Sequence, residues 1–404
     1  MISIYCLVRP WSIKRAPKTR RSHATAIIML FTAAVCLAWY NAVPNDYETS
    51  LNTATRLLMH LAFYGILALE TKTLREWSTY VMVYIGAVTA DALFGMSTYL
   101  SQRMFDMLQT GYIMEFGSRR LSGIHGDPNF FAILIAPAIL YGIASFPFFR
   151  TRRQQLYLLA VIVILVIALA MTLSRTGALA LVSGLFAWAV MSRRKRLVVA
   201  AAILMVVAFA GSFRELGLGE QAVQRLDVHQ GTSWSRRTTK WDTIASNLTV
   251  KSALTGGLGS SRVGGGITPH ETYLCFILET GVLGVATYLA ALAISVGGCW
   301  RFCRQSRIPK RSRDLCAAAA SAAVSLFIGG FGLDLISERG TWVVLGLTAA
   351  ACRLGRDESR LSFSRNLAQG RYAMGPAVTR EILVRRNAEV DDSFPRLHPS
   401  GADG

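Results

Sequence analysis

The chain has 404 residues, of which 52% are hydrophobic and only 17% are charged, and its formal net charge is +19. Its apolar residues form runs long enough to cross about 30 Å of hydrocarbon, and most Lys and Arg residues lie in short clusters between these runs. The positive charge alone would suggest a soluble nucleic-acid-binding protein, but this pattern excludes that class of protein. It predicts an all-α polytopic integral membrane protein.

About ten transmembrane helices are predicted by the apolar runs, at residues 24–43, 54–69, 77–100, 129–148, 155–173, 176–191, 197–213, 271–297, 315–333 and 340–351. Basic clusters such as residues 193–196 and 301–313 fall on alternate loops. Because basic loops stay on the inner side of a membrane, both chain termini are predicted to be cytoplasmic. The loop at residues 41–53 supports this orientation, because it carries two acidic residues but no Lys or Arg.

The chain divides into a basic cytoplasmic tail at residues 1–22, a membrane domain at residues 23–353 and a second cytoplasmic tail at residues 354–404. The second tail is expected to be disordered and to touch anionic lipid head groups. The first apolar run lacks a small-residue cleavage site, so we expect it to remain as the first span. All seven cysteines lie in spans or on the inner side, and no disulfide is expected.

Two segments on the outward side are long enough to fold, at residues 101–128 and 214–269. In the longer segment, residues 237–250 repeat apolar side chains at helical spacing and predict a short amphipathic helix. Residues 255–267 are rich in glycine, and such a backbone can bring its amide groups close to a ligand. The same composition also suits a plain flexible connector.

Arg175 lies at the outward turn between the fifth and sixth predicted spans, beside Ser174 and Thr176, which suit the cap of the following helix. The dipole and the free backbone amides of a helix start favour an anion, and the planar guanidinium fits phosphate oxygens. The alternative is an interfacial arginine that only reaches lipid phosphate.

Three further arginines, Arg236, Arg237 and Arg262, lie in the long outward segment. Together they carry enough charge to neutralise a diphosphate, whereas any one of them is also explained as a solvated surface charge. The outward side shows no tight pair of carboxylates of the kind that holds Mg²⁺. We therefore expect charge stabilisation without a metal, and no cofactor.

His270 follows Pro269 at the start of the eighth predicted span, just after the glycine-rich stretch. The ordinary pKa of an imidazole suits a general base that removes a proton from an attacking hydroxyl group. The alternative is a histidine that only caps the helix at the interface. Glu279 lies about 13 Å further along a helix, so it is expected to orient a neighbouring helix or a supporting group without touching His270.

Two carboxylates lie at membrane depth or at its rim, Asp91 in the third predicted span and Asp334 at the outer end of the ninth. Such groups are candidates for function, and Asp334 is expected either to pair with Arg175 or to orient His270. Residues 127–129, within GIHGDPNFFA, are explained as the cap and first turn of the fourth span.

The order of these features resembles the bacterial superfamily of O-antigen ligases and O-antigen polymerases. The resemblance rests on GDPN at the start of a span, SRTG at a tight outer turn, an Arg four residues before Trp241, a glycine-rich turn and then HETYLCFILETGVLG. It extends from about Arg120 to Asp334 and is densest over residues 237–284.

This resemblance implies a metal-independent, inverting glycosyltransferase with a GT-C-like membrane architecture. Its substrate would be undecaprenyl-diphosphate-linked glycan at the periplasmic face of the bacterial inner membrane. Arg175 and Arg237 would bind the diphosphate leaving group, and His270 would activate the acceptor hydroxyl. The predicted substrate-binding residues are Arg236, Arg262, Asp334, Glu279 and Arg120.

Two departures from the ligase pattern favour polymerisation of exported repeat units over ligation to lipid A core. Glu271 stands where the family more usually has a small polar residue, and ligases commonly have more spans. A flippase and a chain-length regulator of an export system are the expected partners. A transporter of an anionic lipid-linked substrate would show broken helices in related halves, which are not evident from the sequence. A non-catalytic scaffold in an export complex is the third alternative.

Overall fold

A computed structural model describes residues 23–42, 47–105, 112–115, 118–149, 151–192, 199, 202–203, 241–242, 249–258, 272–305, 308–336 and 338–368. The helices are α1 (His23–Tyr40), α2 (Tyr47–Glu70), α3 (Leu74–Phe105), α4 (Pro128–Ser145), α5 (Arg152–Met171), α6 (Arg175–Met191), α7 (Val250–Thr255), α8 (Thr272–Arg304), α9 (Lys310–Gly329) and α10 (Arg339–Ala368). Two 3₁₀ turns, Gly123–His125 and Phe146–Phe148, flank α4.

Nine of the ten predicted spans coincide with helices of the described residues. The seventh, at residues 197–213, lies outside them except for residues 199 and 202–203, as does most of the long outward segment at 214–269. Six of the described helices are long and apolar enough to cross a membrane. The fold class of an α-helical polytopic membrane protein is therefore confirmed, while the number of ten spans remains a prediction.

One short antiparallel hairpin interrupts the helical pattern and was not predicted. Its strands are β1 (Tyr112–Glu115) and β2 (Ser118–Leu121), and Tyr112 pairs with Leu121. β2 leads directly into the 3₁₀ turn Gly123–His125 and then into α4. The hairpin therefore fixes where the chain enters the fourth span.

Helix α4 is the centre of the larger of two apolar cores. It is apolar on all sides and almost fully buried, because it packs against α3, α5, α6 and α9. The second core lies where α1, α2, α8 and α10 meet, around the rings of Phe31, Phe276 and Trp342. The six cysteines of the described residues are all free.

Helix α8 is interrupted at Gly281, which has φ 67° and ψ −176°. The segment after α7 fills this break: the Gly257 N–H donates to the Leu278 carbonyl at 2.9 Å, and Gly256 also has a positive φ of 65°. A Cβ on Gly256 would lie 2.5 Å from the Gly281 nitrogen, so only glycine permits this approach of the two backbones. The break supplies one of the broken helices that the transporter alternative requires.

Helix α10 continues to Ala368, although disorder was expected from residue 354. Arg353 explains part of this difference, because its guanidinium donates to the backbone carbonyls of Leu69 and Thr71 at the end of α2. Leu354 is buried, and Gly355 packs against Phe302 of α8. The expectation was wrong for residues 354–368, and residues 369–404 lie outside the described part.

Candidate functional site

The predicted site residues fall into two groups. Arg120, Arg175, Glu279 and Asp334 lie within the described residues, whereas His270, Arg236, Arg237 and Arg262 lie outside them. The described members cluster near one end of the helix bundle, where residues 172–174 join α5 to α6 and residues 330–338 join α9 to α10. We refer to this end as the site end.

Arg175 is the first residue of α6 and its side chain is exposed. Ser174 caps the helix, because its Oγ accepts a hydrogen bond from the Gly177 N–H at 3.1 Å. In the tight turn before the helix, Leu173 has a φ of 50°, a backbone conformation that residues other than glycine rarely adopt. The prediction that Arg175 lies at a capped helix start is therefore confirmed.

Arg120 supports this turn from the protein interior. It is only 4% exposed, its Nε donates to the Thr172 carbonyl at 2.9 Å, and its Nη2 donates to Asn129 Oδ1 at 2.8 Å. The Ser174 hydroxyl donates to the same Asn129 oxygen at 2.9 Å. Arg120 thus braces the turn before Arg175 in the structure, and its predicted contact with substrate remains a prediction.

Asn129 was interpreted only as part of a helix start, and that local role is confirmed. The Asp127 carboxylate accepts from the Asn129 N–H at 2.7 Å, and Pro128 occupies the first helical position of α4. The Asn129 side chain has the additional role of joining Arg120 to Ser174. Motif spacing does not indicate this role, because the joined residues are 9 and 45 positions away.

The start of α8 is fixed against the turn between α9 and α10. The Thr272 N–H donates to the Gly330 carbonyl at 2.9 Å, and its hydroxyl donates to Leu333 O while it accepts from the Leu335 N–H. Thr272 is fully buried. Thr272 is two residues after His270 in the sequence, so this anchor fixes the start of the helix that follows the predicted base.

The same turn passes directly over the start of α6. A Cβ on Gly332 would lie 2.8 Å from the Thr176 side chain, next to Arg175. Asp334, two residues further, accepts from the Ile336 N–H at 3.1 Å through Oδ1. The structure therefore brings the helix starts at Arg175 and Thr272 together with Asp334, around the turn at residues 330–336.

Glu279 lies deeper in α8 and is 3% exposed. It precedes the break at Gly281, and the Gly256 backbone approaches its carbonyl. This position agrees with a supporting role for Glu279 at the break. Its predicted contact with substrate remains a prediction.

A cluster that was not predicted completes the site end. Asp91 was recognised as a candidate, but its partners His125 and Glu338 were not, and the three side chains lie within ion-pairing distance. The paired glycines of GIHG are a signal for the special turn that presents His125. Among the described residues, no group of three or more His, Cys, Asp or Glu side chains is arranged to hold a metal ion.

The geometry suits the binding of an anionic group at the start of α6. The first N–H groups of a helix lack intrahelical partners, the helix dipole is positive there, and the Arg175 guanidinium adds a full charge. Two supports hold this start in place, namely Asn129 with the buried Arg120 below it and the turn at residues 330–336 beside it. The start is therefore held in one position, which is what preorganised binding of an anion requires.

Comparison with known proteins agrees with the motifs. Residues 160–289 match the sequence profile of the O-antigen ligase family, and this region contains Arg175, Arg237, His270 and Glu279. No curated protein matches the chain. The match supports glycan transfer of the O-antigen ligase and polymerase type, on a lipid-linked glycan, by a membrane enzyme. Residues 160–289 are therefore similar to the O-antigen ligase family, as the order of the motifs indicated.

Proposed function

We propose that this protein polymerises undecaprenyl-diphosphate-linked repeat units into an exported polysaccharide at the periplasmic face of the inner membrane. The reaction is inverting: a hydroxyl oxygen of the acceptor attacks the anomeric carbon of the donor sugar, and the bond from that carbon to the diphosphate oxygen breaks. The acceptor proton passes to His270. The departing undecaprenyl diphosphate takes the bonding electron pair, and Arg175 and Arg237 stabilise its negative charge.

One observation carries the proposal, namely the turn at residues 330–336 and the two helix starts that it contacts. The turn forms hydrogen bonds with Thr272, which is two residues after the proposed base His270 in the sequence. Its Gly332 lies against Thr176, which is one residue after Arg175, the proposed ligand of the diphosphate. A base and an anion-binding group must lie on either side of the same glycosidic carbon for this reaction. The packing supports such a placement.

Ligation of the glycan to lipid A core is the main alternative. It uses the same donor chemistry and differs in the acceptor, so the same two groups would serve it. Genes for repeat-unit glycosyltransferases, a flippase and a chain-length regulator beside the gene for this chain would favour polymerisation.

A transporter of an anionic lipid-linked substrate is the second alternative, and the break in α8 is the observation in its favour. A transporter built from related halves would repeat such a break in a second helix. Among the described helices, α8 alone contains one. Moreover, Arg175 and Asp334 lie at one end of the bundle and not at its middle, which suits chemistry at a membrane face.

The test is the length distribution of lipid-linked and exported glycan in cells that carry Arg175→Ala or His270→Ala, at confirmed membrane expression. We expect single repeat units to accumulate on the lipid and polymer to disappear. Arg152→Ala is a matched control, because Arg152 is also an exposed first residue of a capped helix, but at the other end of the bundle. His23→Ala controls for His270, because His23 is exposed at the start of α1.

Other outcomes separate the alternatives. Long chains that persist on the lipid without reaching a final acceptor would indicate a ligase. Normal glycans at normal protein levels in both variants would contradict the proposed chemistry and favour a scaffold. Loss of polymer in the Arg152→Ala control would show that the effect is one of folding.

A further inference from the structure

His125 lies between two carboxylates at the site end. Its Nε2 is 3.3 Å from Asp91 Oδ2 in α3, and its Nδ1 is 3.6 Å from Glu338 Oε2, just before α10. The other Asp91 oxygen accepts from the Ile124 N–H at 2.8 Å. The imidazole therefore bridges two elements that are far apart in the sequence.

The backbone turn that holds His125 is built around the Asp91 carboxylate. Gly123 and Gly126 flank the turn with φ values of 58° and 71°, and a Cβ on Gly123 would lie 2.5 Å from Asp91 Oδ1. Glycine at position 123 thus lets the chain wrap the carboxylate. The imidazole also stacks on Phe131 of α4, with ring centroids 6.0 Å apart. The ring has a fixed position and orientation.

Both ring nitrogens face carboxylates, so His125 is a bridge and not a base that is free to take a proton from substrate. The charged form of the imidazole has an N–H group on both sides and forms ion pairs with Asp91 at 3.3 Å and with Glu338 at 3.6 Å. The three side chains are 24%, 9% and 20% exposed for His125, Asp91 and Glu338, respectively, so bulk water screens the pairs only in part.

The bridge joins the two halves of the candidate site. On one side, the turn that carries His125 continues into Asn129, which holds Ser174 and hence the helix start at Arg175. On the other side, Glu338 follows the turn at residues 330–336, which holds Thr272 at the start of α8. The bridge therefore connects the support of the helix start at Arg175 to the support of the helix start at Thr272.

We propose that His125 is a positioning residue for glycan transfer, which, as an imidazolium bridging Asp91 and Glu338, fixes the spacing between the helix starts at Arg175 and Thr272. The inference rests on the proposed function, because it concerns the geometry of that reaction.

The charges around the bridge determine the pH range in which it forms. Burial works against protonation of His125, but the hydrogen bond to Asp91 and the negative charges of Glu338 and Asp91 outweigh it and raise the pKa of His125 above 6.5. Burial also raises the pKa of Glu338, against the charge of His125, while Asp127 adds to the rise and Arg56 and Arg339 oppose it. The bridge is thus complete only between the raised pKa of Glu338 and the raised pKa of His125, and it is lost as the pH rises through the pKa of His125.

The main test is the pH profile of transfer by the purified, full-length protein in nanodiscs. The substrate is lipid-linked glycan extracted from cells that lack this protein. We expect the wild type to lose activity at alkaline pH, where His125 loses its proton. His125→Gln should be about tenfold to a hundredfold slower at pH 6 and should lack this alkaline decline, because a misplacement of about 1 Å has such an effect. Glu338→Gln should act similarly, and the double variant should be no slower than His125→Gln.

His23→Gln, the same substitution at an exposed histidine outside the cluster, should retain the wild-type profile. A His125→Gln variant that is equally slow at every pH but keeps the alkaline decline would show a merely structural role and overturn the proposal. Unchanged activity in this variant would overturn it as well.

A second measurement does not depend on the reaction. The thermal unfolding midpoint of the wild type should exceed that of His125→Gln most strongly below pH 6.5, and the difference should shrink as the pH rises through the raised pKa of His125. A difference independent of pH would overturn the bridge. If the wild type transfers no glycan but this pH dependence is present, the proposed function fails while the bridge itself is confirmed.

Discussion

Asn129 Oδ1 accepts hydrogen bonds from both Ser174 Oγ and Arg120 Nη2, and this shared acceptor fixes the start of α6 from inside the protein. Arg120 also donates to the Thr172 carbonyl. A buried guanidinium is stable only when its donors have partners, so the three groups depend on one another. The turn and the cap that precede Arg175 are thus held by side chains from two other elements of the fold.

The cap of α6 provides a test of this dependence. Ser174→Ala should lower the free energy of unfolding by about 1 kcal/mol and also reduce polymer yield, because it releases both the helix start and Asn129. Thr151→Ala is the matched control: Thr151 caps α5 at the other end of the bundle, in a capping box with Gln154. It should lose similar stability and keep full polymer yield.

The two measurements are the thermal unfolding midpoint of purified protein and the glycan length distribution at equal membrane expression. Equal loss of polymer in both variants would mean that stability alone controls the yield. Full polymer yield in Ser174→Ala would contradict the link between the cap and Arg175.

The sequence predicts the contacts between neighbouring residues of this site but not the contacts between residues that are far apart in the chain. SRTG predicted a capped helix start with Arg175, because caps depend on neighbouring residues. The partners Arg120 and Asn129 join residues up to 52 positions apart. Such pairings follow from helix packing, which periodicity and spacing do not report.

At the scale of elements, the break in α8 is the main feature that hydropathy could not predict. The run at residues 271–297 predicted a continuous span, and glycine is common in transmembrane helices, so Gly281 carried no distinctive signal. The break depends on Gly256, whose backbone lies against the carbonyl of Glu279. An interrupted helix within a membrane is stable only if other groups satisfy its backbone, and the Gly257 N–H does this for Leu278.

We expect Gly281→Ala to destabilise the protein by about 1–3 kcal/mol or more, because its φ and ψ are essentially restricted to glycine. In addition, a Cβ there would lie 2.5 Å from the Leu254 carbonyl oxygen. Gly297→Ala in the same helix is the control, since a Cβ there meets nothing within 4 Å. It should be neutral or slightly stabilising.

Thermal unfolding of the two purified variants decides between these expectations. If Gly281→Ala melts at the same temperature as Gly297→Ala, the break does not persist in the membrane. The α7 segment would then have no fixed place against α8.

At the scale of the whole molecule, the two apolar cores are joined through α9 and α10. These helices pack on each other, and residues 330–338 connect them. The larger core supports the Arg175 half of the site, and the smaller core supports the Thr272 half. Hydropathy predicted the helices that form these cores, because burial in lipid or protein demands apolar runs. Hydropathy did not predict which helices pack against each other, because apolar faces of similar composition do not determine the neighbours of a helix.

The distribution of basic residues predicts how this bundle lies in the membrane, with the site end outward. An engineered cysteine at each end tests this orientation, at Ile124, which is 74% exposed at the site end, and at Arg152, which is exposed at the other end. In spheroplasts, a membrane-impermeant maleimide should label Ile124→Cys above the level of the parent protein. Arg152→Cys should be labelled only after lysis.

Labelling of both variants after lysis confirms that each thiol is reactive, so a missing signal in spheroplasts reports orientation. The reverse pattern would place Arg175 in the cytoplasm, where lipid-linked repeat units have not yet been exported. Polymerisation at the periplasmic face would then be contradicted, because the anion-binding helix start and the exported substrate would lie on opposite sides of the membrane.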